Sequence, residues 1–545
     1  MGRLSDAPQG AFPPREATLA RLGDEVWDLV VIGGGISGAG VAQQAAQAGW
    51  RVLLAEQRDF AWGASSRSSK LVHGGLRYLK QGDLKTTLHA VRERERLLRE
   101  APALVRLQSF LWADCARRPT GRWLMQAGLM VYDRMARQHG HHRADLAATQ
   151  WLAPGLAPTG LRGSLVFHDA STDDARLVLR VLQEARQQGA VTLNDLGVRG
   201  VRGQGGGFTV QLHDALTGRE HTVRARCVVN TTGAWGDRLR GAGGPLLRPL
   251  RGSHLIVPFW RLPVAQAISF MHPADGRPVF FYPWEGATLI GTTDLDHGDD
   301  LDQEARISAA EARYLLDAVN GQFPDARLTA ADVLSCFSGV RPVVADGHAQ
   351  ASRATREHVV RDEGGLITLA GGKLTTFRLM AQDALALAAR HVGRGWTASD
   401  APVFQPASRL NPALSPAVQA RLQARYGDGA GELCAGAPAA QLERIAGTPT
   451  LWIELQLAAR HEAVHHLDDL LLRRTRLGLL LPRGGEALLD QVQALCAPAL
   501  DWSPARWDEE RQRYRAVIAQ HYQLPDMGQT GLQPLPVKRE QLHPS

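Results

Sequence analysis

An α/β fold with a parallel sheet, a separate antiparallel sheet and a helical C-terminal third is predicted by three observations. Near the start, WDLVVIGGGISGAGVAQQAAQAGWRVLLAEQ reads as strand, glycine turn, helix and second strand. In the middle, strand-like runs such as HLIVPFW, VFFYPW and ATLIGTTD are set off by turns. After the proline-rich stretch ASDAPVFQPASRLNPALSPA, the remaining patterns are helical.

Composition narrows the class. The chain has 545 residues, 44% hydrophobic and 21% charged, the balance of a soluble globular protein with room for several domains. A formal net charge of +7 favours anionic partners. No basic tract interleaved with aromatics and no finger spacing points to nucleic acid. No run of about 18 apolar residues could span a membrane. The five cysteines are odd in number and widely spaced, which fits reduced thiols in a cytosol. Residues 1–24 carry prolines and mixed charge but no apolar run, so they read as a loose tail without a signal peptide.

In chain order, Trp27 to Ile32 is the first strand. Gly33, Gly35 and Gly38 spell G-x-G-x-x-G, and Arg51 to Ala55 is the second strand, ended by Glu56. The glycines allow a tight turn close to a pyrophosphate, and the helix N-terminus supplies N–H groups. Glu56 would accept from a ribose, which argues for FAD or NAD rather than NADP. SSRSSKLVHGGLRYL then offers donors with little bulk. GDLKTTLHAVRERERLLREAP reads as a helix stopped near Pro102. From Ala103 to Gln138, apolar Trp123, Leu124, Ala127, Met130, Val131 and Met135 fall at three- and four-residue spacings among arginines, including Arg117, Arg118 and Arg122. Three short strands lead into the strand Ala225 to Asn230 and a turn at Gly233. A meander at that place, instead of a second βαβαβ half, favours FAD over NAD. Leu366 to Ala370, two glycines and KLTTFRLMAQDALALAARHV give another strand, turn and helix.

VIGGGISGAG, SSRSSKLVHGGLRYL, IGTTD, SGVRP, ATREH, GGKLTTFR and ARHEAVHHLDDLLLRRTRLG occur in this order across about residues 26–480. Together they resemble the FAD-dependent, respiratory glycerol-3-phosphate dehydrogenase family. The resemblance implies a two-dinucleotide-binding, Rossmann-like FAD domain over 25–395, with FAD-binding segments near 25–90, 150–250 and 340–395. An antiparallel-sheet substrate domain is interleaved with it, a C-terminal helical domain covers 405–522, and 523–545 form a tail. Ser65, Ser66, Ser68, Ser69 and Lys70 would run along the cofactor's pyrophosphate and flavin edge. His73, Gly74, Gly372, Leu374 and Thr375 would also meet the cofactor. Arg77, Tyr78 and Arg356 would bind substrate. Arg341, Lys373 and His254 would be catalytic: His254 as the base, Arg341 as its rival by stabilising an alkoxide, and Lys373 at the helix N-terminus facing the flavin.

Noncovalent FAD is expected, with sn-glycerol 3-phosphate oxidised to dihydroxyacetone phosphate and electrons passed to a membrane quinone. The expected location is cytoplasmic, attached peripherally to the inner membrane, and a homodimer is compatible. An oxidase using oxygen, a non-catalytic dinucleotide-fold regulator and an amino-acid oxidase stay open as alternatives. HEAVH (His461 to His465) has the spelling of a zinc-protease helix, yet it falls inside the last resembling block, so no metal is expected.

Overall fold

The computed structural model of the chain describes residues 15–528, apart from 77–78, 80–82, 116–118, 138–139, 158–159, 242–243, 273, 346–357, 407–409 and 411–413. Four strands make the centre of the first sheet: Val52–Ala55, Val26–Ile32, Glu220–Asn230 and Leu366–Gly371, adjacent in that order and mutually parallel. Val26–Ile32, Val52–Ala55, Leu366–Gly371 and the end of Glu220–Asn230 from Cys227 on are mostly apolar, because both faces of a parallel sheet are covered, whereas the first half of Glu220–Asn230 alternates polar and apolar where it pairs with the meander. Helices Ile36–Gln47, Asp174–Gln187 and Phe377–Val392 bury their apolar sides on one face. The expected meander is the antiparallel pair Leu196–Gln204 and Gly207–Asp214, joined to Glu220–Asn230.

The first residues differ from expectation. The described part of the supposed loose tail contains a helix, Arg15–Arg21. Leu19 and Leu22 bury beside Trp27, and Arg15 donates to the Asn194 carbonyl at 2.7 Å and to Asp214 at 2.6 Å. An apolar pair three residues apart and one well-placed cation are enough to dock so short a helix. Residues 523–528 of the expected tail carry no helix or strand, and 529–545 lie outside the described residues.

The second sheet is antiparallel at its centre, where Leu247–Pro258 pairs with Ala287–Gly291 and with Ser335–Val344. It continues through Pro278–Trp284 and Ala267–Met271 to Val105–Cys115 and Leu161–Thr172. The first half of the stretch from Ala103 to Gln138 is therefore a sheet strand, and the second half is a helix, Pro119–Ala136. On that helix Trp123, Leu124, Met130 and Val131 are exposed, whereas Met135 turns inward beside Tyr132 and Ala136.

Beyond residue 413 the chain is helical, with Pro416–Tyr426, Trp452–His461, Leu489–Leu500 and Pro504–Val517 as its main helices. The HEAVH segment does not form one helix. The helix stops at His461, Glu462 caps it and pairs with Arg176, and His466 bonds Glu510 at 2.8 Å. His461 and His465 thus share no helical face. Among the described residues no helix is long and apolar enough to cross a membrane.

Candidate active site

A cleft of about 1840 Å³ runs between the two sheets, along the carboxyl ends of the parallel strands. That is where ligands bind in open α/β sheets. At its first wall, Gly33 has φ +109°, and a Cβ there would stand 2.7 Å from the Thr231 carbonyl oxygen. A Cβ on Gly38 would come within 1.9 Å of the Gly33 oxygen. Only glycine fits either place, and the turn it permits aims the N-terminus of helix Ile36–Gln47 into the cleft. Gly35 caps that helix without a side chain, and Ser65 accepts from the Ile36 N–H at 3.0 Å. Glu56 accepts from the N–H groups of Gly34 (2.6 Å) and Arg58 (2.9 Å); burial pushes its carboxyl up, against those hydrogen bonds.

The serine-rich stretch divides by depth. Ser65, Ser68, Ser69 and His73 line the cleft. Ser66 is buried, and its carbonyl accepts from Lys70 at 2.6 Å. Lys70 itself is 0% exposed and holds both oxygens of Asp174 at 2.9 Å. Burial lowers its ammonium to about 8 despite that partner. It therefore faces the domain seam and not the cleft. Gly74 is pressed against Tyr132, where a Cβ would meet the hydroxyl at 2.3 Å, and its N–H donates to Asp169 at 3.0 Å.

Opposite, Arg341 lines the cleft. It donates to Asp294 at 2.9 Å and to the Thr292 hydroxyl at 2.9 Å. Its guanidinium lies flat on Gly252, where a Cβ would stand 2.2 Å away. His254 sits behind this surface, fully buried, stacked on Phe337 at 4.7 Å and bonded through Nε2 to Ser69 Oγ at 2.9 Å. Burial, then Arg341 and Lys70, hold its imidazole well below the ordinary range, so the ring is neutral. Gly372, Lys373, Leu374 and Thr375 line the third side, where the turn Leu374–Thr376 leads into helix Phe377–Val392. Thr375 donates to the His73 carbonyl at 3.2 Å, tying this turn to the serine stretch. Gly233, with φ +61°, completes the wall after Glu220–Asn230. Arg77, Tyr78 and Arg356 lie outside the described residues.

Several cleft residues had no sequence assignment. Asp294 and Thr292 orient Arg341 and belong to the quoted IGTTD, so the motif carried the signal. Arg67, inside the quoted SSRSSKLVHGGLRYL, clusters at the Glu56 end with Trp62, Trp235, Arg238 and Asp302, none of which carried an assigned role.

The residues present suit FAD. Three strand ends converge with glycine turns, a helix N-terminus points at one wall and a second helix start at another, and an acid stands at the ribose position. The family described as FAD dependent oxidoreductase matches residues 28–401, and the C-terminal domain of alpha-glycerophosphate oxidase matches 367–507. The aerobic glycerol-3-phosphate dehydrogenase of Staphylococcus aureus is 30% identical over 93% of this chain and 97% of its own length. The crystal structure of glycerol-3-phosphate dehydrogenase from Bacillus halodurans complexed with FAD superposes with a TM-score of 0.72 at 28% identity, over 93% of this chain and 96% of that one. An L-alpha-glycerophosphate oxidase from Mycoplasma pneumoniae shares the fold at 18% identity, TM-score 0.56, over 70% of this chain and 98% of that one. With FAD as its cofactor, a matching C-terminal domain and the relationship spanning nearly its whole length, the chain belongs to the FAD-dependent glycerol-3-phosphate dehydrogenase family.

Proposed function

We propose that this cleft oxidises sn-glycerol 3-phosphate to dihydroxyacetone phosphate and that the electrons leave to a quinone in a membrane. The observation that carries the reading is the lining of the cleft, which holds the cations Arg341 and Lys373 together with the apolar Phe110, Trp112, Leu124, Val131 and Met271. A phosphate and a developing alkoxide need fixed positive charge; a lipid-soluble acceptor needs an apolar approach.

Bound FAD supplies the hydride acceptor. In this reading Arg341, braced by Asp294 and Thr292, stabilises the substrate oxygen as it loses its proton. Lys373 adds positive charge where a helical turn already presents N–H groups. His254, kept neutral, shares a hydrogen bond between Nε2 and the Ser69 hydroxyl; in the tautomer protonated at Nδ1 its Nε2 accepts and can take a proton through that hydroxyl. Arg77, Tyr78 and Arg356 are proposed to complete the phosphate site.

The apolar lining continues onto helix Pro119–Ala136, where Trp123 is 65% and Leu124 66% exposed. Such side chains suit the boundary between lipid tails and headgroups, which supports peripheral attachment to the cytoplasmic face of a membrane. Rapid mixing under anaerobic conditions tests the reading. Glycerol 3-phosphate bleaches the flavin absorbance and glycerol does not. A quinone analogue then restores the colour without peroxide. Stoichiometric peroxide in air, with no acceleration by the quinone analogue, would replace the quinone by oxygen.

A further inference from the structure

The geometry points to a further part of the cofactor site: residues 297–307 are a strap across the ribose end of the cleft, and its fastening through Asp302 and Glu304 slows exchange of FAD. The strap leaves the second sheet at Leu295–Asp296 and stays tied to it through the His297 N–H on the Pro249 carbonyl at 3.0 Å and Asp299 on Arg251 at 3.1 Å, but Asp302 and Glu304 take their partners from the other domains. The Asp302 carboxylate accepts from Trp235 Nε1 at 2.9 Å and, through both of its oxygens, from Arg238 Nη1 at 2.7 and 2.9 Å. Its carbonyl accepts from Arg58, whose own N–H is held by Glu56. Glu56 ends the second parallel strand, which marks this as the ribose end. The Arg58 guanidinium lies 3.9 Å over the Trp62 ring, and that of Arg67 lies 4.6 Å over it. Glu304 pairs with Arg67 and accepts from the Tyr522 hydroxyl at 2.6 Å. Three parts of the chain therefore meet over one end of the cleft: the FAD domain, the substrate sheet and the last turn of the C-terminal helices.

The two fastenings differ in depth. The Glu304 side chain is 12% exposed and that of Asp302 is 53% exposed. Glu304, anchored by Arg67 and Tyr522, is the hinge. Asp302 is the latch, whose exposed hydrogen bonds open without unpacking anything. A latch of this kind leaves hydride transfer alone and governs how long the cofactor stays.

FAD release from the loaded full-length protein, followed as the rise of flavin fluorescence after dilution, tests this. Asp302→Asn, an isosteric change at an exposed position, releases FAD about tenfold faster, since it weakens charge-assisted bonds to Arg238. Tyr522→Phe releases it a few-fold faster by loosening the hinge. Asp490→Asn, which removes a surface ion pair to Arg511 far along the chain, releases it at the parent rate. Raising salt speeds release from the parent more than from Asp302→Asn, because the latch is an exposed ion pair. Circular dichroism reports that each variant is folded. Release from folded Asp302→Asn at the parent rate overturns the proposal.

Discussion

In the seam between the FAD domain and the C-terminal helices, the side chains of Arg473, Arg474 and Arg476 are at most 2% exposed. Arg474 grips both oxygens of Asp59 at 2.6 and 2.7 Å, Arg473 reaches Asp468 and Asp469, and Arg476 reaches Asp173 and Asp174. In the cleft, Arg341 keeps 23% of its side chain exposed, resting on glycine and braced by one acid and one hydroxyl. The seam has the greater density of charge and the cleft the greater access. Buried cations among matched carboxylates hold domains together, whereas a cation left facing a cavity can meet a ligand. Density of charge is thus a poor guide to the site; access to a cavity is the better one.

The contrast breaks most visibly in the seam. Arg474→Ala removes the two-pronged grip on the buried Asp59, leaving it to Arg473 and Asn194, and should cost about 3 kcal/mol, read as a large fall of the thermal midpoint or loss of soluble protein. Arg341→Ala and Lys373→Ala should instead leave the midpoint nearly intact and keep FAD bound, while turnover falls by about 10²–10³. A cleft variant that unfolds, or a seam variant that stays stable and merely slow, would erase the distinction.

Acidity sharpens it next. Asp195 is buried in the seam, its carboxyl pushed up to about 7 by burial first and then by Asp469 and Asp59; Asp469 is itself pushed up to about 6. His466 and Arg15 act in the opposite direction on Asp195. A raised carboxyl contributes stability in full below its unfolded value of 3.8, and that contribution is lost as pH rises through the folded value of about 7. Asp195→Asn removes the titration, and asparagine tolerates the positive φ of 51° at this position. The variant should exceed the parent by roughly 1–3 kcal/mol at pH 8 in urea unfolding, with the gain shrinking toward pH 5.

The smallest effect concerns the cleft's apolar lining. Replacing Trp123 and Leu124 by serine should reduce flotation with anionic liposomes several-fold and leave stability unchanged, because both side chains are exposed. Flotation equal to the parent would move the membrane contact elsewhere on the surface.

Local physics made much of the molecule legible. The glycine turns at Gly33, Gly38 and Gly372 follow from conformations or approaches that a Cβ forbids, and such constraints are written in a few consecutive residues. Apolar runs foretold the parallel strands for the same reason, and so did the switch to helical periodicity after residue 413. The docked helix Arg15–Arg21 escaped, because its partners Asn194 and Asp214 are 179 and 199 residues away.

Among the site residues, the sequence by itself determined types and not depths. It marked Lys70 and Lys373 alike, as cations beside glycines or serines. Tertiary structure decided that Lys70 turns into the seam against Asp174, 104 residues on, whereas Lys373 lines the cleft. It also decided that His254 stands behind Ser69, and that Asp302 and Glu304, in the acidic stretch DLDHGDDLDQE, reach across to Arg238 and Arg67. The reason is physical. A glycine's freedom or a strand's alternation acts over a few residues of chain, but the burial of a charge depends on which distant carboxylate arrives to neutralise it, and only the folded chain brings the two together.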